Sequence, residues 1–149
     1  MNKGGIRAGL DAGPVTWQEL YTVQPFGNTL MKATLTGEEL ISALEHGMTS
    51  SGATIQIAGM ELTVDRTKPY GSRIIEARLA DGSPIQPDSS YVAVFNNFIG
   101  SGGDGYDMLR DAEQSEDTGY LDLNALIQYL EEQPKPVSFD IEPLIHSGP

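Results

Sequence analysis

Three short segments carry residue types that could bind a ligand. Asn2-Lys3-Gly4-Gly5-Ile6-Arg7 joins two glycines to an arginine. The glycines permit close backbone approach, and the planar guanidinium suits a phosphate. Asn2 offers both a donor and an acceptor, as the edge of a nucleobase would require. Gln24-Pro25-Phe26-Gly27-Asn28 holds an aromatic ring on a turn between Pro and Gly. Phe26 either caps a core there or turns its flat face to a ligand ring. Asn96-Asn97-Phe98-Ile99 runs into Gly100-Ser101-Gly102-Gly103-Asp104-Gly105-Tyr106, with four glycines in six residues. An apolar strand delivers Phe98 to its end, and strand ends that enter glycine loops are favoured binding positions. Asp104 either accepts from a ribose diol or caps the helix that follows. Taken singly, each segment is also readable as a turn, a surface cation or a flexible loop.

Other chemistries find no support. The chain has no cysteine, which excludes thiol catalysis, disulfides and Cys-based zinc sites. His46 and His146 lie far apart without acidic neighbours at metal-ligand spacing, and we read both as structural. His46 falls near a helix end, where a cation suits the dipole. No Gly-x-Ser-x-Gly elbow occurs, and the glycine loop lacks the spacing of a dinucleotide fingerprint. With 9 Lys+Arg against 21 Asp+Glu the formal charge is −12, unsuited to coating a nucleic acid. A small phosphorylated ligand, which needs only one or two local cations, stays open.

The elements that must position these residues follow from local chemistry. In 149 residues, 17 glycines and 9 prolines point to a turn-rich domain with a real core. No apolar run approaches the roughly 18–20 residues that span a bilayer. Thr16-Trp17-Gln18-Glu19 is a capping box that opens a helix ending before Pro25. Thr36-Gly37-Glu38-Glu39 is a second, ahead of the apolar stripe Leu40, Ile41, Leu44 and Met48. Strands are expected over Thr29 to Leu35, Thr54 to Ala58, Met60 to Asp65, Arg73 to Leu79 and Tyr91 to Phe95. A short helix is expected from Asp107 and a longer one from Asp122 to Gln133, with the tail after Pro134 as loop. Strands and helices mix without strict alternation, so the expected class is α+β, one domain with a mixed β-sheet packed by helices.

Together, NxGGIR, PFGN and NxFxxxGGDGY resemble the C-terminal domain of the 5'-nucleotidases, a family that includes UDP-sugar hydrolases and 2',3'-cyclic-nucleotide phosphodiesterases. Leu35-Thr36-Gly37 and Leu44-Glu45-His46 extend the resemblance, which runs from Asn2 to about Leu130. It implies that 1–149 form a substrate-binding domain. A separate N-terminal metallophosphoesterase domain, absent here, would carry two divalent metal ions, and this domain would bind no cofactor. By resemblance Phe26 and Phe98 sandwich the base, Asp104 accepts from the ribose, and Arg7 pairs with the phosphate. Asn2 and Asn28 lie near the phosphate or the base edge, and Gly52 near the base through its backbone. Asn97 is a weaker candidate.

The implied partners are a nucleotide or nucleoside and the N-terminal domain of the same polypeptide, with no nucleic acid and no membrane span. The implied location is extracellular, periplasmic or cell-wall associated. Family members rotate one domain against the other to bring substrate to the metals. The family helix ahead of Asn2, with a further phosphate-facing arginine, is missing from this chain. We therefore expect a piece of a longer protein, inactive as a hydrolase by itself and weakened in phosphate affinity. Two alternatives stay open: a superfamily relative with a non-nucleotide substrate such as thiosulfate, and a ligand-free surface interaction module. The second gains if Phe26 and Phe98 are both buried.

Overall fold

A computed structural model describes residues 1–112, 114–139 and 142–148. Helices α1 (Trp17–Val23) and α2 (Gly37–His46) begin where the two capping boxes place them. In each box the threonine hydroxyl accepts from the N–H of the glutamate three residues on, and the glutamate accepts from the threonine N–H. Helix α2 buries Leu40, Ala43 and Leu44, while Met48 is buried just beyond its end.

Strand β1 (Thr29–Thr36) is the centre of the first sheet. It pairs antiparallel with β6 (Ser90–Asn96) on one side and β7 (Gln114–Leu121) on the other. Between them in sequence come a hairpin, β2 (Met48–Thr49) with β3 (Gly52–Ala53), and the strands β4 (Met60–Val64) and β5 (Ile74–Leu79). A second three-stranded sheet has the order β5-β4-β8, where β8 is Ile145–Ser147. Its β4–β5 pair is antiparallel and its β4–β8 pair parallel, so this sheet is the mixed one. Helix α2 packs between the two, and Leu35, Leu44, Met48, Leu62, Val64, Phe95, Ile99 and Tyr106 join in one core. The fold is α+β.

Two short helices, α3 (Asn97–Gly100) and α4 (Asp107–Arg110), flank the glycine loop, and α5 (Asp122–Glu132) follows β7 beside α1. The strand expected over Thr54 to Ala58 is not formed. Only Ile55 bridges, to Asn2, with Lys3 N–H donating to Thr54 O and Gln56 N–H to Met1 O. The β-branched residues there favour extended backbone, but the first segment, which pairs with Thr54 to Gln56, turns away at Lys3 into a 3-10 turn, and Thr54 N–H goes instead to Gly47 O. The tail is not all loop, because Ile145–Ser147 adds to β4. At 140, 141 and 149 the reading of the tail lies outside the described residues, as does 113 in the expected single domain.

Candidate functional site

The first and third segments meet at the C-terminal end of β6. Its last residue, Asn96, is 2% exposed and caps α3, its Oδ1 accepting from Ile99 N–H at 3.1 Å. This cap turns the chain sharply and presents Phe98. Asn96 Nδ2 donates to Asn2 Oδ1 at 3.1 Å, and Asn2 Nδ2 donates to Asp104 Oδ2 at 2.7 Å. Asn2, 5% exposed, thus joins the first segment to both halves of the third. Arg7 N–H donates at 2.9 Å to the carbonyl of Val23, the last residue of α1 and the one just ahead of the second segment. The Arg7 guanidinium carbon lies 6.0 Å from the Phe26 ring centre, at the outer limit of a cation–π contact.

Phe26 is 58% exposed and Phe98 44% exposed, so neither ring is consumed by the core. Phe98 lies against Gly103. A Cβ at 103 would stand 2.7 Å from two ring carbons and 2.5 Å from the Phe98 carbonyl oxygen. The glycine is therefore a space requirement of the ring. Asp104 itself has φ 53°, left-handed backbone that costs a non-glycine residue about 1–2 kcal/mol. Arg7 is exposed, and among the described residues its side chain makes one bond, a long 3.4 Å donation to Gly4 O. That leaves most of its fork open to an anion.

The remaining candidates are less central. Asn28 accepts from Asp122 N–H through its carbonyl, and the Asp122 carboxyl is buried with Oδ1 unpaired among the described residues. Burial pushes that carboxyl above its ordinary value, while Leu123 N–H and Asn28 pull it down. Gly52 sits in β3 at φ 150°, two residues before the Thr54 that receives Lys3. Asn97 points Oδ1 inward, buried and without a partner among the described residues.

His46 is the residue whose part the sequence reading missed. Its Nε2–H donates to Asp104 O at 2.8 Å, which fixes the tautomer and leaves Nδ1 to accept from the Tyr70 hydroxyl at 3.3 Å. The imidazole stands edge-on to Tyr106 with ring centres 4.6 Å apart. The histidine pins the strained residue from below, 58 positions away in sequence, and only the LEH motif hinted at it. His146 lies on β8, 3.8 Å from Glu61, away from these groups. An apolar cavity of about 580 Å³ lies behind β6 among Leu35, Leu44, Tyr91 and Phe95, and none of the candidate residues lines it. Two open aromatic faces, an open guanidinium and a fixed carboxylate can hold a flat ring, an anion and a hydroxyl-bearing linker between them.

Comparison with known proteins places the fold in a family. The profile of the family described as "5'-nucleotidase, C-terminal domain" matches residues 1–111. The chain is 40% identical over 149 residues to the trifunctional nucleotide phosphoesterase YfkN of Bacillus subtilis, covering 95% of this chain and 10% of that protein. It is 34% identical over 143 residues to an apyrase of Tabanus yao, covering 87% and 26%. The crystal structure of a 5'-nucleotidase precursor from Thermus thermophilus superposes with a TM-score of 0.90 at 37% identity, covering 98% and 30%. The chain thus spans well under half the length of these relatives. With the profile match over most of its length, the chain belongs to the 5'-nucleotidase C-terminal domain family.

Proposed function

We propose that this chain is the nucleotide-holding domain of a two-domain, metal-dependent phosphoesterase acting on nucleotide phosphate esters. The observation that carries the reading is that Asn2 ties the first segment to Asp104 and to the residue that presents Phe98, while Arg7 of that segment lies beside Phe26 and both rings stay exposed. The base stacks between the two rings, an arrangement worth about 1–3 kcal/mol per base and tolerant of base identity. Asp104 keeps Oδ2 on Asn2 and offers Oδ1 to a ribose hydroxyl. Arg7 takes part of the phosphate charge through a forked, charge-assisted bond. Holding the nucleoside at three points positions phosphorus for attack, which is this domain's share of the rate enhancement.

Among the described residues no cluster of three His, Asp or Glu could hold a metal ion. The described residues therefore do not supply the ligands of a dimetal centre. The metal ions belong, on this reading, to the N-terminal domain of a longer polypeptide, and the 149 residues alone bind without hydrolysing. The extracellular, periplasmic or cell-wall location is carried over from the family in the same way; no helix among the described residues is long and apolar enough to cross a membrane. The exposure of both rings counts against a ligand-free module, and a small inorganic substrate would have no use for them.

The test is an NMR titration of the 149-residue chain with adenosine and AMP, wild type beside Phe98→Ala. The expected result is binding of both ligands, weakened about fivefold to 150-fold by the substitution. Equal binding by the two proteins would remove the stacking site.

A further inference from the structure

We propose that Asn96 is a positioning residue of the nucleoside site, although it has almost no surface with which to touch a ligand. This rests on the reading of Asp104 and Phe98 given above and adds the device that holds them together. The hydrogen-bond chain runs Ile99 N–H to Asn96 Oδ1, Asn96 Nδ2 to Asn2 Oδ1, and Asn2 Nδ2 to Asp104 Oδ2.

Its two ends fix its direction. A backbone N–H only donates and an ionised carboxylate only accepts, so each amide has one possible orientation. Asn2 must turn its NH₂ to Asp104, which leaves its oxygen for Asn96. Asn96 must then turn its own NH₂ to Asn2, which leaves its oxygen for the cap. Flipping either amide would set oxygen against oxygen or N–H against N–H in a buried place, at the cost of unpaired groups. The two amides are 2% and 5% exposed, so water does not readily replace either bond.

One side chain thereby does two jobs. Its oxygen sets the turn that presents Phe98, and its nitrogen locks the carboxylate that faces the ribose. Oδ1 of Asp104 carries no hydrogen bond among the described residues and is the oxygen left for the ligand. From the main-chain side, the His46 donation to Asp104 O closes the clamp.

Serine caps a helix as well as asparagine does but is too short to reach Asn2. Asn96→Ser should therefore keep the cap and cut the link to Asp104. The readout is the affinity ratio of adenosine to 2',3'-dideoxyadenosine, measured by calorimetry together with thermal unfolding. We expect the variant to bind dideoxyadenosine as wild type does and to lose about tenfold on adenosine, the share of one hydrogen bond to a charged acceptor. An unchanged ratio in a folded variant would overturn the proposal.

If wild type itself does not distinguish the two nucleosides, the ribose role of Asp104 fails instead. The link is then decided without ligand, by hydrogen exchange of the Asn2 side-chain amide and the chemical shift of the Asp104 amide. Faster exchange and a shifted Asp104 in Asn96→Ser uphold it, and unchanged values overturn it. Asn96→Asp, which keeps the size and the cap oxygen, is the second variant. If both variants lose the native spectrum, Asn96 is merely structural and the proposal is wrong.

Discussion

Replacing Gly103 by alanine should disable a ligand contact that Gly103 does not make. The new Cβ would sit 2.7 Å from Phe98 Cε1 and Cζ and 2.5 Å from the Phe98 carbonyl oxygen. Ordinary contact begins near 3.4 Å, so the ring must retreat by about 0.7 Å or more. The ring could give way, but the carbonyl cannot, because it belongs to the backbone of α3. The loop and the ring must therefore move together. Overpacking of this kind costs about 1–3 kcal/mol of stability, roughly 2–12 °C in melting temperature for a domain of this size. The displaced ring also forfeits much of its stacking, so adenosine affinity falls between fivefold and 150-fold.

Gly27→Ala, beside the other phenylalanine, is the control. Its Cβ meets open space but must adopt φ 63°, a backbone cost of about 1–2 kcal/mol with no push on Phe26. The assay is calorimetric titration with adenosine alongside thermal unfolding of wild type and both variants. Stability should fall in both, and affinity should fall far more in Gly103→Ala. Wild-type affinity in a folded Gly103→Ala, with the Phe98 ring resonances unmoved, would refute the steric argument.

Arg7→Ala should lower AMP affinity about tenfold, the worth of a charge-assisted contact, and leave adenosine affinity within error in paired titrations. His46→Ala frees the carbonyl of a residue held at φ 53°, so hydrogen exchange across 103–106 should quicken and adenosine affinity fall, with α2 itself intact. Asp122 supplies a pH prediction, because burial raises its folded pKa above the unfolded value near 3.8. A carboxyl raised in this way binds its proton more tightly in the native state, so the protein loses stability as pH climbs from the unfolded value through the folded one. Asp122→Asn should therefore be more stable than wild type at pH 7 and no more stable at pH 3, by urea unfolding at the two pH values.

The parts of the fold legible in the sequence are those decided by a few neighbouring residues. Thr16 with Glu19 and Thr36 with Glu39 each fix a helix start within four positions, and both boxes form. The runs of β1 and β6 announce strands, although Val92 and Val94 of β6 stay exposed, and the three glycine-bearing motifs announce turns. Strand β7 is not legible in the sequence, because Gln114–Leu121 is exposed along its whole length and polar up to Gly119. What makes it a strand is remote: β1 supplies the ladder, Thr29 donates to Asp117, and Thr118 donates to Leu30 O. An edge strand of this kind has no buried face to impose a period of two. Thr54 to Ala58 erred in the opposite direction, with strand-like residues but a partner only three residues long.

The site divides along the same line. Phe26, Phe98, Arg7 and Asp104 were legible as types suited to a ring, a phosphate and a diol. That Asn2 is buried against Asp104, that Asn96 stands behind it, and that His46 grips the loop are facts of packing. No spacing in the chain encodes them.

The central claim is that Phe26 and Phe98 face one base. Intermolecular NOEs between the adenine H2 and H8 protons and the side-chain protons of the bound chain test it most directly. The account predicts NOEs to both phenyl rings in the same complex, with ribose protons near Asp104 and Gly105. Adenine that gives NOEs to neither ring, or only to the residues lining the apolar cavity behind β6, would contradict it.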